Sequence, residues 1–354
     1  MESSFEKFFL GANSCEGFVS RFSESYNINT GWKGYIIKGG PGTGKSSLMK
    51  RIAKSGIEKG FSIVFCPCSS DPDSLDAVII KEKKIVILDG TSPHVVEPKL
   101  VGAGDSIVNL GEFLDSDKLN NNLDKVIEIT ARNKALHKIA SAHLTSAGEW
   151  LRANTDMAGK LVCCEKAKRL AEKICHDELS QNETKGEQWE RFLGGVTPKG
   201  VITYSSSITE HYEKIIVFED KIGVFSNILL EEIAINAIQK GYETIIIRNP
   251  FLPNSKIDHI LIPSIKTAFV TENEYIGFEV FSDRIYCEEF YDYSLISEEV
   301  EINDDRAKGL IKLAVDILKS AKAVHDELEA LYIPAMNFAA VNEYTDQLIS
   351  KIFK

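Results

Sequence analysis

A glycine-rich segment near the start of the chain combines residue types that hold phosphate groups. Residues 39–46 read Gly-Gly-Pro-Gly-Thr-Gly-Lys-Ser. Glycines allow the backbone to approach an anion closely and to point successive N–H groups at it. Lys45 supplies a charge for the β- and γ-phosphates, and the Ser46 hydroxyl is a ligand for Mg²⁺. The predicted nucleotide-binding residues are Gly39, Gly40, Pro41, Gly42, Thr43, Gly44, Lys45, Ser46 and Ser47.

A second candidate is Asp89, which follows an apolar run at residues 85–88. A carboxylate at the tip of a strand beside the glycine-rich segment would hold Mg²⁺ through water. We therefore predict Lys45 and Asp89 as catalytic residues, and Ser46 and Asp89 as metal ligands. The alternative is that Asp89 only begins an Asp-Gly-Thr turn, which turn chemistry also favours.

Further polar residues follow the predicted strands and are candidates for positioning water or a metal. They are Asp71, Asp73, Asp76, His94 and Glu97. Since the carboxyl ends of strands gather around the ligand in α/β sheets, a carboxylate there can act as a general base. Asp71 and Asp73 are predicted to lie in a loop, and a solvated turn with helix-capping residues is their alternative role. His94 is a candidate to sense the γ-phosphate, with packing in a proline-bounded loop as its alternative.

The elements around the glycine-rich segment would position it. The apolar run 34–38 predicts a buried strand, and residues 46–59 have the spacing of an amphipathic helix that ends at Gly60. A helix N-terminus adds free amide donors and a partial positive charge. Further strands are predicted at 62–66 and 85–88, so strands and a helix alternate around a mainly parallel sheet.

The chain repeats itself at an offset of 181 to 183 residues. Residues 9–11 and 192–194 share the sequence FLG, and 35–65 aligned with 216–246 gives seven identities in 31 pairs. Near-constant offsets across separated blocks indicate a duplication. The second copy predicts strands at 215–218, 244–247 and 268–270 and a helix at 227–240.

The second copy has lost the features that bind phosphate. Residues 220–227 read Asp-Lys-Ile-Gly-Val-Phe-Ser-Asn, so that one glycine survives, Ser226 replaces the lysine and Thr271 replaces Asp89. We expect no triphosphate to bind there. An inactive copy can still complete the first site by offering an arginine to the γ-phosphate. The candidates are Arg248 first and Arg132 and Arg169 as rivals, and a surface role is the alternative for each.

The pattern G-x-x-x-x-G-K-S, together with Ile85–Asp89, resembles the P-loop NTPase superfamily. The tandem arrangement and the stretch 89–98 are also similar to a poorly characterised bacterial family of tandem P-loop ATPase-like proteins. Gly90 stands where AAA+ and ABC ATPases carry a glutamate, and the sequence contains no guanine-reading N-K-x-D motif. The resemblance therefore implies ATP with Mg²⁺ as cofactors, and ATP over GTP.

Long helical segments follow each copy. Apolar residues three and four apart predict helices at 119–144 and 161–179, and again at 310–331 and 341–352 with Pro334 between them. These helical hairpins are predicted to pack on their own sheet or on that of the other copy. The predicted fold class is α/β, with two tandem P-loop-type αβα units with mainly parallel sheets, each followed by a helical hairpin. The predicted domains are 1–182, with the intact phosphate motif, and 183–354, the degenerate repeat.

Composition limits the classes of partner. The 354 residues are 44% hydrophobic and 26% charged, which is typical of about two globular units. No apolar run reaches the roughly 18 residues of a membrane span, so we expect no membrane partner and a cytoplasmic location. The net charge of −11 disfavours nucleic acid. The helical segments offer a surface for a protein partner or for self-association.

These features predict an ATP–Mg²⁺-binding protein, a slow ATPase that couples its nucleotide state to rearrangement of its two halves. Two alternatives stay open. The short interval from Lys45 to Asp89 also occurs in small-molecule and nucleotide kinases, which transfer phosphate to an acceptor. The missing acidic residue after Asp89 fits a non-catalytic module that binds a partner under the control of ATP.

Overall fold

The computed structural model describes residues 5–273 and 283–354. Its strands are β1 (Glu6–Lys7), β2 (Gly11–Ser14), β3 (Gly17–Ser20), β4 (Lys33–Lys38), β5 (Ile63–Cys68), β6 (Asp71–Ile80), β7 (Ile85–Asp89), β8 (Asp105–Asn109), β9 (Glu187–Arg191), β10 (Gly194–Thr197), β11 (Gly200–Thr203), β12 (Lys214–Glu219), β13 (Glu243–Arg248), β14 (Ile257–Ile262), β15 (Thr267–Glu272) and β16 (Asp283–Tyr286). Its helices are α1 (Lys45–Glu58), α2 (Ser116–Asn120), α3 (Leu123–Gly159), α4 (Cys164–Glu178), α5 (Ser206–Thr209), α6 (Val224–Gln239), α7 (Ser297–Tyr332) and α8 (Phe338–Ile352). Every strand and helix predicted from the sequence is present, and most bounds differ by a few residues. The long helices are the exception: the one predicted at 119–144 is divided between α2 and α3 and continues to Gly159, and the one predicted at 310–331 already begins at Ser297.

The two copies form two six-stranded sheets with the same strand order. The first sheet runs β1-β5-β6-β7-β4-β8, and the second runs β9-β13-β14-β15-β12-β16. In each sheet three strand pairs are parallel and two are antiparallel. Lys33 pairs with Ile85 in the first sheet, and Lys214 pairs with Thr267 in the second, which is the same register after the repeat offset. The α/β class and the mainly parallel sheets are confirmed, and the matching topology supports the duplication.

Three strands of each six-stranded sheet were missed by the sequence analysis, namely β1, β6 and β8 in the first sheet and β9, β14 and β16 in the second. Of these, β6 and β14 lie in the middle of their sheets and run antiparallel to both neighbours. The predicted loop around Asp71 and Asp73 is therefore wrong, because these residues begin β6. The apolar part of β6 is continuous and fully buried. Such a run lacks the alternation of apolar and polar residues that would distinguish it as a separate strand in the sequence.

The two sheets share one core. Alternate side chains of β4, β7, β12 and β13 meet in one buried cluster, which includes Ile36, Val86, Val217 and Ile245. The other face of the first sheet packs against α1 and α8, and that of the second packs against α4 and α6. The layers are therefore helix–sheet–sheet–helix. The prediction of αβα units, with helices on both faces of each sheet, is wrong. A buried strand needs apolar cover on both faces, and a second sheet provides it as well as helices do.

The long helices exchange partners between the copies. Helices α3 and α7 pack against each other, with Ala140 and Leu144 beside Ala314 and Leu318. Helix α4 follows α3 but packs on α6 of the second copy, and α8 follows α7 but packs on α1 of the first. Of the two predicted arrangements, the hairpins adopt the one in which they cover the sheet of the other copy. The end of the second copy is thereby brought to the glycine-rich segment of the first.

The repeated FLG segments pair with each other. Phe9 and Phe192 exchange two backbone hydrogen bonds, of 2.8 and 2.9 Å. The predicted boundary between residues 182 and 183 lies in the connection between α4 and β9. Among residues 5–273 and 283–354, no helix combines the length and the apolar character that a membrane crossing requires.

Candidate functional site

The glycine-rich loop, residues 39–46, connects β4 to α1. Gly42 has a φ of +67° and Gly44 a φ of +90°, and only glycine adopts such values without strain. Gly44 immediately precedes α1, so the loop ends in the free amides of a helix N-terminus. The hydroxyl of Thr43 donates to the carbonyl of Gly40 at 2.8 Å, which holds the turn. The local structure is therefore the close turn into a helix that the spacing predicts.

The ammonium of Lys45 lies inside this loop. It donates to the carbonyls of Gly39 and Gly40 at 3.0 and 2.8 Å. Its Nζ atom is 3.6 Å from Oδ2 of Asp89. Strand β4 pairs in parallel with β7, so that the loop after β4 and the aspartate at the end of β7 meet at one edge of the sheet. The structure thus brings together the two residues predicted as catalytic.

The two predicted metal ligands also make hydrogen bonds at this edge. Oγ of Ser46 accepts the backbone N–H of Leu75 on β6 at 3.0 Å. Oδ1 of Asp89 accepts the N–H and the hydroxyl of Thr91 at 3.0 and 2.5 Å. The turn anticipated as an alternative role for Asp89 is therefore real, but it uses only one carboxylate oxygen, and the other faces Lys45.

Two further predicted candidates, Asp76 and His94, lie beside Asp89. Both are buried, and Nε2 of His94 is 3.7 Å from Oδ1 of Asp76. The pKa of Asp76 is raised to about 6, mainly by burial, and the charge of His94 opposes the rise while that of Asp89 adds to it. The ring of His94 stacks on Phe22 with centroids 4.3 Å apart. His94 is therefore packed in the loop, as its alternative role predicts, and it also lies at the site.

The other three candidates make contacts elsewhere. Asp73 forms an ion pair with Lys199 at 2.6 Å, and hydrogen bonding to that lysine lowers its pKa. Asp71 lies 3.6 Å from Nζ of Lys322 on α7. Glu97 accepts a hydrogen bond at 2.8 Å from the lysine that ends β4. Of the five, only Asp76 and His94 can act directly on a group held between the loop and Asp89.

The arginines proposed to reach the loop from other elements make different contacts. Arg248 donates twice to Glu190 on the neighbouring strand β9, at 2.5 and 3.0 Å. Arg132 forms an ion pair with Glu327 of α7 at 2.9 Å, and Arg169 is exposed on α4. No contact described for these three side chains in the structured ranges involves residues 39–46. The prediction of Arg248 as the arginine supplied by copy two is corrected, because a carboxylate on its own sheet holds it.

Instead, the end of α7 lies over the loop. A Cβ atom built on Gly40 would be 2.5 Å from Cε1 of Tyr332, and one on Gly42 would be 3.0 Å from Cγ1 of Ile333. Glu329 also lies beside Gly42, and its carboxylate is 3.6 Å from Nε2 of His325. The interaction with His325 is the main cause that lowers the pKa of Glu329, and the backbone N–H of Gly42 contributes less. An anionic group of the chain therefore lies close to the amides of the loop.

Sequence reasoning missed this cover. The spacing of α7 indicates which of its residues are apolar, but no local signal shows that its last turn reaches the first copy. The one available hint was the predicted alternative of hairpins packed on the other copy, combined with the break at Pro334. The contact depends on the exchange of helices, which is a property of the whole fold.

In the second copy, an aspartate occupies the corresponding amides. Oδ1 of Asp220 accepts the N–H of Gly223 at 3.0 Å, and Oδ2 accepts the N–H of Ser226 at 2.8 Å. The hydroxyl of Tyr291 donates to the same buried carboxylate at 3.0 Å. A carboxylate fixed at the start of α6 satisfies the donors and repels a phosphate. The structure thus provides a physical reason for the expected loss of triphosphate binding in this copy.

Comparison with known proteins identifies no relative. No family model, curated protein or solved structure matched this chain. The resemblance to P-loop NTPases therefore depends on the residues of the glycine-rich loop and on their surroundings.

Proposed function

We propose that the chain binds ATP with Mg²⁺ in the glycine-rich loop and hydrolyses it slowly. The observation that carries this proposal is the position of Lys45, whose ammonium lies within a loop of helix N-terminal amides and 3.6 Å from the buried carboxylate of Asp89. Donors and charges fixed in this way stabilise a triphosphate and the charge that develops during phosphoryl transfer. Slow turnover is expected because Gly90 stands where faster ATPases carry a glutamate.

The residues at the loop fit Mg²⁺. Ser46 offers its hydroxyl oxygen, and Asp89 keeps one carboxylate oxygen that does not bond Thr91. Two buried carboxylates, those of Asp76 and Asp89, lie at this edge near the ammonium of Lys45, and a bound cation would help to balance their negative charge. The ion would supply charge neutralisation for the β- and γ-phosphates.

The cover by α7 supports the proposed coupling to the rearrangement of the two halves. A triphosphate in the loop needs the space beside Gly40 that Tyr332 fills, and it would be repelled by the nearby carboxylate of Glu329. Binding therefore requires the end of α7 to move. Since α7 packs along α3, such a movement is passed to the helices that join the two copies.

The proposal is tested by measuring Mg–ATP binding and product formation for the wild type, Lys45→Ala and Lys54→Ala. Lys54 is a matched control, because it lies on the exposed face of the same helix. We expect Lys45→Ala to lose binding and turnover and Lys54→Ala to keep both. Equal binding by the wild type and Lys45→Ala would overturn the proposal.

The same assay separates hydrolysis from transfer. An ATPase releases one inorganic phosphate for each ADP with no acceptor present. ADP that forms only when a small-molecule acceptor is added, without matching phosphate, would contradict the hydrolase assignment and favour a phosphotransferase. Tight binding without any ADP would contradict it in favour of a non-catalytic module.

A further inference from the structure

Three buried side chains at the end of the first sheet form a cluster with the composition of a metal site. They are Asp76 on β6, Asp89 at the end of β7 and His94 in the loop that follows. One oxygen or nitrogen atom from each lies within 4.8 Å of those of the others. Two carboxylates and one imidazole are a common ligand set for divalent transition metals.

The imidazole of His94 is an independent observation that points to a ligand. Only 6% of this residue is exposed, and neither ring nitrogen has a hydrogen-bond partner among the described residues. Oδ1 of Asp76 is 3.7 Å from Nε2, beyond hydrogen-bonding distance. Because buried polar atoms are nearly always paired, we expect this ring to bind a partner other than the described residues of the chain. Stacking on Phe22 fixes the plane of the ring and directs Nε2 toward the carboxylates.

The second copy shows that the fold does not require this cluster. Asp258 occupies the position of Asp76 after the repeat offset of 182 and is buried in the same way. Its two oxygens accept hydrogen bonds from the amide of Asn249 at 2.9 and 3.1 Å. At the position of Asp89 the second copy has Thr271. A buried carboxylate here can thus be satisfied by neutral donors, and copy one instead places a second carboxylate and an imidazole beside it.

We infer that Asp76, Asp89 and His94 bind a divalent transition-metal ion, with the Mn²⁺ class as the preferred occupant, in the absence of nucleotide. This inference rests on the proposed function only in that both assign Asp89 as a metal ligand. A nitrogen ligand distinguishes it from the Mg²⁺ site at Ser46 and Asp89, because Mg²⁺ favours oxygen ligands. Metal–ligand bonds of about 2.1 Å place ligand atoms at most about 4.2 Å apart. The cluster therefore needs to contract by less than about 1 Å to hold the ion.

The test uses Mn²⁺ alone as the probe, on full-length protein treated with a chelator and kept free of nucleotide. Free Mn²⁺ is counted by electron paramagnetic resonance, and nitrogen coupling to the bound ion is recorded by pulsed methods. We expect one ion per chain with nitrogen coupling in the wild type. His94→Asn should weaken binding at least about tenfold and remove the coupling. The matched control is His176→Asn, at an exposed position on α4, which should leave both unchanged.

Two further variants test the metal site independently of His94 and of the nucleotide site. Asp76→Asn should weaken Mn²⁺ binding by a similar factor even if His94→Asn fails to fold. Lys45→Ala should lose Mg–ATP but retain Mn²⁺, so that failure of the proposed nucleotide site is distinguishable from failure of the metal site. Absence of Mn²⁺ binding in the wild type would overturn the inference. Unchanged affinity in folded His94→Asn or Asp76→Asn would overturn it as well.

Discussion

The contact between Tyr332 and the glycine-rich loop predicts that a smaller residue at this position strengthens the binding of Mg–ATP. The ring lies directly over Gly40, in the space beside the loop, and the side chain is half-buried. Full burial of a large apolar side chain stabilises a structure by roughly 1.5–3 kcal/mol, so half-burial is worth about 0.8–1.5 kcal/mol. Because 1.4 kcal/mol is about a factor of ten, removing the ring shifts the population with an open loop about four- to tenfold.

Isothermal titration calorimetry with Mg–ATP measures this effect. We expect Tyr332→Ala to lower the dissociation constant by about four- to tenfold, since less of the binding energy is used to open the loop. Tyr332→Phe keeps the ring and should bind as the wild type does. The gain should vanish when Lys45→Ala is added, because the nucleotide then has no site. Unchanged or weaker binding by folded Tyr332→Ala would refute the idea that this ring closes the loop.

Two other predictions concern charges. Glu329→Gln should increase Mg–ATP affinity several-fold in the same titration, because it removes a negative charge that lies close to the loop and repels the triphosphate. Glu327→Gln, at an exposed position two residues away, is the control and should have no effect. His259 is fully buried, and burial lowers its pKa to about 3, so the unfolded chain takes up a proton below about pH 6.5 that the folded chain does not. Stability from this group is thus present above pH 6.5 and lost as the pH falls toward 3, which amounts to about 2 kcal/mol at pH 5. His259→Asn keeps an acceptor for the N–H of Thr271. Urea unfolding at pH 7.5 and 5.0 should show that the free energy of unfolding falls between these two pH values by about 2 kcal/mol less in this variant than in the wild type. Equal decreases would contradict the lowered pKa of His259.

Much of the candidate site could be predicted from the sequence because its parts are local. The spacing of glycines, Lys45 and Ser46 requires a tight turn into a helix, and the structure has that turn. The alternation of apolar runs with turns predicts the strand that carries Asp89. The sequence also indicated Asp76 and His94 as candidates, but it could not separate them from Asp73, because their difference lies in burial by distant segments.

Other parts of the site could not be predicted. Arg248 follows an apolar strand just as a ligand-binding residue would, yet Glu190 on the adjacent strand holds it. The cover by Tyr332 and Glu329 joins residues almost 300 positions apart in the sequence. In both cases the outcome depends on which surfaces meet after the elements have formed, and no window of local sequence contains that information.

By itself, the sequence determined the duplication, the longer helices, three of the six strands in each large sheet, and the copy that keeps a loop suited to phosphate. These properties follow from residue spacing and backbone conformation, which act over a few residues or one turn. The tertiary structure alone decided that the sheets pack on each other, that the hairpins exchange copies and that α7 closes the loop. An apolar face is satisfied equally by a helix of its own copy, a helix of the other copy or a second sheet. Only the assembly of the whole chain selects among them.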